Sequence, residues 1–564
     1  MTRKMPNGFY TALFKAKDLI LNNEHFLLPL DSSPIRFVLR HTELYSNLLD
    51  SSLHPTRMTE GVDRSIELEI LYQTLVENQR FDLRKIIQAE KNSLEGLDIP
   101  YFWCTAGGTD LRTSQEIVGN GFFAKSGIQI ARELIARLNE KHLEQQISII
   151  RASLFVSQIR EAHPSSFLDA DYAPGTILAR PELIDSNFLV EIAHQVATKI
   201  CELALPQSAP NWKWIAPELI ASNGRYSVRP LGPRLYDGNG GIALFFSALA
   251  KISGEDTYRQ IALELLEPIR ELLLSPALPR WIEEHGLGIT TGFGSLIYSL
   301  VTAGCLLSEK YLVTDALSSL LLANVLHKNS NPLLDLSHGC AGGILALLVL
   351  YRETGEMQVL QQATQYGEEL LLSMDATEDY SAAWKQRGIA HGVDGLYLAL
   401  RRLSHLSGDL RFAEAARLAQ KCADMPSQDE HHQSGLRMSW CWGVPGICLS
   451  DLASGDGITG NSNLEQDLQA IATVAQSRTD YLCCGSLGRI EVLLYGGQLL
   501  GRPKLREIAT ELTLSVARRA EYQGAFQTHL PIPHPGFFQG LAGIGYQLLR
   551  VQFPQQLPSI LAFD

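Results

Sequence analysis

One unit, Gly-x-x-Gly followed by an apolar run, returns seven times from residue 238 onward, and no other feature restricts the possible folds as strongly. Its copies are Gly238 to Gly241, Gly292 with Ser295 in the last place, Gly339 to Gly342, Gly392 to Gly395, Gly443 to Gly446, Gly485 to Gly488 and Gly540 to Gly543. Successive first glycines stand 54, 47, 53, 51, 42 and 55 residues apart, a period that admits two helices per unit. The run after a motif, such as Ile344 to Leu350 ahead of Gly355, is apolar nearly all round and belongs inside. The stretch after it, such as Glu356 to Met374 or Arg502 to Tyr522, has one polar face and belongs outside. Such units cannot bury their faces alone, so they stack or close. Closing seven helical hairpins gives an α/α toroid with an inner and an outer ring and the motif turns gathered at one end. Glycine is expected there because the turn needs an unusual φ or a close backbone approach.

The side chains just before each first glycine then face a common centre: Asp237, Thr291, His338, His391, Trp442, Cys484 and Gln539. Cys441 and Cys483 sit one residue behind. Soft thiolates hold zinc, and a catalytic zinc site keeps three protein ligands and one open position. Cys441, Cys483 and Cys484 fill that set. An adjacent cysteine pair by itself reads as two small packed residues; a third cysteine before the matching glycine of the neighbouring repeat turns the reading to metal. His391 as a satisfied core histidine and Asp237 as a turn-capping aspartate are the structural alternatives. His338 reads as structural, and Cys104, Cys201, Cys305, Cys340, Cys422 and Cys448 as packing residues.

The other half of the chain is less regular. At 564 residues the protein exceeds one ordinary core, so two domains are expected, over 1–205 and 206–564, with the boundary near Pro206. Apolar spacing predicts helices over Tyr10 to Asn22, Arg64 to Glu77 and Gly127 to Leu138, and a long one over Glu182 to Leu205. Arg36 to Thr42 places cationic and hydroxyl groups beside a strand-like run, which reads either as a solvated strand edge or as a phosphate site. The formal charge of −13 argues against a general nucleic-acid binder. No apolar run reaches the roughly 20 residues of a membrane span, and the start carries no apolar signal core, so a cytoplasmic protein is expected. Nine thinly spread cysteines fit reduced thiols better than a disulfide framework.

The seven motifs, combined with Ala390-His391-Gly392, Trp440-Cys441-Trp442-Gly443 and Cys483-Cys484-Gly485, resemble the LanC-like cyclase domain of lanthipeptide synthetases from about Tyr226 onward. The N-terminal part resembles the later portion of the lipid-kinase-like dehydratase of class II (LanM-type) synthetases. The residues that carry this are Arg36 to Thr42 with Tyr45, His54-Pro55, Asp98 to Phe102 and Gly121 to Phe123. The resemblance implies an all-α dominated chain, with a mostly helical α+β remnant of the dehydratase ahead of a complete cyclase. It implies Arg36 and Thr42 in phosphate elimination, His391 and Asp237 as catalytic residues, and Zn²⁺ on the three cysteines. Cys484 stands where most of the family has histidine, as in the prochlorosin synthetase subgroup. The ATP-binding lobe of the dehydratase is not recognised, so ATP and Mg²⁺ are expected to act only if another chain supplies that lobe. The implied partner is a ribosomal precursor peptide.

The implied reaction adds a peptide cysteine thiol across dehydroalanine or dehydrobutyrine to make a thioether. A free thiol is only about 3% ionised at pH 7, which is why a metal is wanted, and the enolate formed must take a proton at Cα, which suits a histidine. Two other readings compete: a precursor-binding remnant of a split synthetase without activity, and an α/α-toroid glycosidase. The glycosidase would need paired carboxylates at the centre, where the motif positions offer one aspartate.

Overall fold

A computed structural model describes residues 5–23, 25–72, 83–159, 187–205, 212–220, 225–323, 333–375, 386–423, 438–455, 464–473, 477, 479–528 and 533–564. The chain forms two compact units, Met1–Ile147 and Ser148–Asp564. The boundary expected near Pro206 lies outside the described residues.

The first unit mixes helices with a four-stranded antiparallel sheet in sequential order, Pro34–Phe37, Phe102–Thr105, Leu111–Arg112 and Ile117–Gly119. Its helices include Met5–Asn22, Thr42–Ser52, Gly61–Leu68, Arg84–Glu95 and Gly127–Arg137. The helix expected from Arg64 instead starts at Gly61 and tightens into a 3-10 turn over Glu69–Tyr72, and 73–77 lie outside the described residues. Arg36 pairs with Trp103 across the sheet, and its guanidinium lies 5.6 Å from the Tyr101 ring. Thr42 opens the following helix, and both Arg36 and Thr42 are exposed. The segment between them is pinned from below. Glu90 is fully buried on the Arg84–Glu95 helix and accepts from Arg40 Nε at 2.8 Å and Tyr45 Oη at 2.5 Å.

The second unit is an α/α toroid. Its inner helices are Asn239–Ser253, Phe293–Leu307, Cys340–Thr354, Val393–Ser407, Val444–Ala453, Ser486–Leu499 and Leu541–Gln552, each beginning within a motif. Each packs on the next, and the last packs on the first, so the ring closes. Phe245 and Gly545 meet at the closure, where a β-carbon on Gly545 would stand 2.4 Å from the Phe245 ring. Most inner helices are buried nearly all round, as the unbroken burial of Cys340 through Leu350 shows, because their apolar side chains have neighbours on every side. Among the described residues, six outer helices follow their inner partners. The seventh outer position is taken by Phe188–Leu203, which packs on Leu541–Gln552. The sequence reading gave this helix to the N-terminal part; in the structure the chain enters the ring through it.

The motif glycines serve close approach alone. Each first glycine caps its helix with φ between −97° and −142°, a region open to any residue. The constraint is steric: a β-carbon on Gly488 would lie 1.9 Å from the Leu482 carbonyl oxygen, six residues earlier. The same contact recurs at Gly241, Gly342, Gly395, Gly446 and Gly543. Positive φ is used instead where the inner helices end, as at Gly355 with φ 70°.

Candidate metal centre

Main-chain hydrogen bonds run from loop to loop around the motif end of the ring. Tyr236 N–H donates to the Thr290 carbonyl, Thr291 N–H to Ser337, Ser337 N–H to Ala390 and Ala390 N–H to Cys441. Trp440 N–H donates to Cys483, Cys483 N–H to Phe538 and Phe538 N–H back to Tyr236. This belt passes mainly through the residues two places before each first glycine, so Cys441 and Cys483 are held in it by their own backbone. Cys484 follows one residue later.

The three sulfurs converge. Cys441 Sγ lies 3.6 Å from Cys484 Sγ, and Cys484 Sγ lies 3.5 Å from Cys483 Sγ. Disulfide-bonded sulfurs stand about 2.05 Å apart, so these are free thiols. Tetrahedral ligands about 2.3 Å from a zinc ion would lie roughly 3.8 Å from one another, close to what is found. The charge state points the same way. Hydrogen bonds from Cys483 and Cys484 hold the Cys441 thiol well below its ordinary range, whereas the other two are pushed up beside it. A cation bound among them would favour the ionised form of all three. Cys441 and Cys483 are buried and Cys484 is half-buried.

A second group faces the centre from the neighbouring loops. His391 Nδ1 lies 2.8 Å from Asp335 Oδ2, and His338 Nδ1 lies 3.3 Å from the same oxygen. The two rings stack with centroids 5.3 Å apart, and His391 packs on Trp442 at 5.2 Å. Asp335 is the residue that the sequence reading missed. It stands three places before His338, whose backbone N–H donates to Asp335 Oδ1 at 2.7 Å. The spacing Asp-x-x-His-Gly was the available signal. Burial alone would raise the Asp335 carboxyl, but the hydrogen bonds from His338 and His391 outweigh it and hold it below the usual carboxylate range.

Asp237 is placed differently. Its Oδ2 accepts from Arg234 Nη2 at 3.0 Å, and Arg234 also pairs with Glu218 from the strand Ile215–Ile220. Asp237 Oδ1 is buried without a hydrogen-bond partner among the described residues. The carboxylate on the His391 ring is therefore that of Asp335. Nearby His534 is buried, accepts from Gly536 N–H through Nδ1 at 2.9 Å, and is pushed down to about 4 by that burial.

Residues 229–562 match the family described as lanthionine synthetase C-like protein. The chain belongs to that family. Residues 6–105 match a domain family of unknown function, DUF4135. Comparison with curated proteins gives no match. Among solved structures, the LanC-like chain is similar to nisin cyclase at 17% identity and a TM-score of 0.42, covering 58% of this chain and 91% of that one. It is also similar to an unsaturated glucuronyl hydrolase variant from Streptococcus agalactiae, at 13% identity and a TM-score of 0.34, covering 69% of this chain and 99% of that one. A third is the α-1,6-mannanase GH76A of Salegentibacter sp. HEL1_6, at 10% identity and a TM-score of 0.32, covering 64% and 98%. Among the described residues of this LanC-like chain, no helix is long and apolar enough to cross a membrane.

Proposed function

We propose that the LanC-like domain closes thioether rings in a precursor peptide, adding cysteine thiols to dehydroalanine or dehydrobutyrine, with zinc held by Cys441, Cys483 and Cys484. The observation that carries this reading is the convergence of three sulfurs beside a histidine whose second nitrogen is bound to a carboxylate. When bound, zinc supplies the Lewis acidity that ionises a thiol at neutral pH.

The chain's own residues handle the rest. Donation from His391 Nδ1–H to Asp335 leaves Nε2 as the atom that exchanges a proton with substrate. The substrate thiol gives its proton to the lone pair of His391 Nε2, the new C–S bond takes the sulfur lone pair, and the alkene π pair moves onto the enolate. His391 Nε2 then returns a proton to Cα. Asp237, fixed by Arg234 through Oδ2, keeps Oδ1 as an acceptor for a peptide N–H. Trp442 covers the His391 ring and limits the water that competes for the enolate.

In the first unit, exposed Arg36 and Thr42 are assigned to phosphate elimination by resemblance. Their cation and hydroxyl would stabilise a departing phosphate, with ATP and Mg²⁺ acting through a kinase-like lobe.

The test is to incubate the protein with chemically dehydrated precursor and zinc, and to follow loss of alkylatable thiols by mass spectrometry. Ring closure above the uncatalysed rate with one equivalent of zinc is expected, and the Cys441→Ser/Cys483→Ser/Cys484→Ser variant should lose that one sulfur-bound equivalent. Binding of the peptide without thiol loss would establish the non-catalytic reading instead.

A further inference from the structure

Asp335, His338 and His391 offer one oxygen and two ring nitrogens that lie within 4.8 Å of one another. We propose that these three residues form a second site for a divalent transition-metal ion, and that an ion there takes His391 out of proton transfer.

The two carboxylate-to-imidazole separations suit an ion. Ligands about 2.0 Å from a metal stand roughly 2.8 Å apart at a right angle and about 3.3 Å apart at the tetrahedral angle. Those are the distances from Asp335 Oδ2 to the nitrogens of His391 and His338, 2.8 and 3.3 Å. In the metal-free state the same positions are hydrogen bonds, with the ring N–H groups donating. An ion replaces those two protons by moving each to Nε2 of its own ring, so no proton is lost overall. Imidazole and carboxylate together select zinc, cobalt or nickel over magnesium and calcium.

Charge and access favour occupancy. Three thiolates and one divalent ion at the sulfur site sum to −1, so a second cation at the neighbouring loops is attracted, where a neutral site would give no such pull. The side chains of His338, His391 and Asp335 are 39%, 31% and 16% exposed, so an ion reaches them without unfolding. The two histidines occupy matching places in successive repeats, and the belt holds their loops in register through Ser337 and Ala390. With Nδ1 on an ion, Nε2 carries the ring's one proton and has no lone pair to accept another.

The binding claim stands on this geometry; the inhibitory claim rests on the reading of His391 given above. The test strips the full chain of metal and titrates it with Co²⁺. The first equivalent is expected to give a strong sulfur-to-cobalt charge-transfer band, and a second to add only weak visible absorption. His338→Gln and Asp335→Asn should each take up one equivalent fewer and keep the sulfur band, which also shows that they fold. Zinc beyond one equivalent should slow thioether formation by the natural chain at least about tenfold more than by His338→Gln. Saturation of the natural chain at one equivalent, or a second equivalent that survives in both variants, overturns the site. Two equivalents without inhibition overturn the inhibitory half. A missing sulfur band counts against the three-cysteine reading, and the difference between natural chain and variants still decides this one.

Discussion

Asp335 Oδ2 accepts from His391 Nδ1 at 2.8 Å, and this bond decides which nitrogen of the catalytic candidate is free to meet a substrate. The carboxylate comes from the loop of the preceding repeat, so the pair exists only when two repeats are docked side by side.

Replacing that carboxylate tests the pair. Asp335→Asn keeps the shape but offers the ring an amide that can bind either tautomer. Ring closure should fall about 10–100-fold, the usual cost of losing an orienting partner, whereas His391→Ala should cost about 10²–10⁴-fold, the contribution of a general acid. Rates measured on dehydrated peptide with one equivalent of zinc per chain check both; equal losses would make Asp335 more than an orienting group.

Cys484 sits one place before its motif glycine, as His391 and His338 do, and is the more exposed member of the trio. Cys484→His should therefore keep about one zinc per chain, because imidazole is an equally good ligand at such a site. Cys484→Ser should lose most of it. Metal analysis after dialysis separates the two, and loss in both variants would show that the loop tolerates only sulfur.

Two glycines with different jobs should respond differently to the same methyl group. At Gly488 a β-carbon would stand 1.9 Å from the Leu482 carbonyl, beside Cys483, so Gly488→Ala should destabilise by about 2–3 kcal/mol, like other overpacked sites. At Gly355 there is open space and only the positive φ to accommodate, so Gly355→Ala should cost about 1–2 kcal/mol. Urea unfolding compares them, and the Gly488 variant alone should also weaken metal retention.

His534 makes stability fall in mild acid. The folded chain protonates it only near pH 4, and the unfolded chain near 6.5. Between those values the unfolded state binds more protons, so this contribution is complete above about pH 6.5 and is lost as pH falls toward 4. The whole effect is about 3–4 kcal/mol at roughly 1.4 kcal/mol per unit. Denaturation at pH 7.5, 6 and 5 should show a slope in the natural chain that His534→Gln flattens.

Much of this architecture can be read from the chain because one steric demand is repeated in it. The second motif glycine must pass the carbonyl six residues before it, so it leaves a periodic mark, and the repeats give the ring and bring Cys441, Cys483 and Cys484 to one end. Of the two reasons expected for glycine at the motifs, unusual φ or close backbone approach, only the second applies: the backbone there is extended, and crowding alone excludes a side chain. Asp335 escaped because it acts from three places before its histidine, outside the motif position that was searched. The belt escaped because main-chain partners some fifty residues apart need no particular side chain. The upstream helix that fills the seventh outer place carries no motif at all. In the first unit, buried Glu90 beneath Arg40 and Tyr45 has no signal beyond ordinary helical spacing.

The belt also sets an order of events during synthesis. Cys483 donates to Phe538, and Phe538 donates to Tyr236, so the loop carrying two of the three sulfurs gains its last main-chain partner only after the seventh repeat has left the ribosome. A nascent chain of six repeats would expose the apolar flank of its first inner helix and hold an unfinished thiol cluster. The toroid thus differs from an open solenoid, which can gain and lose units at its ends: here the repeats are not interchangeable parts, and the metal capture proposed above would be a late report that the circle is complete.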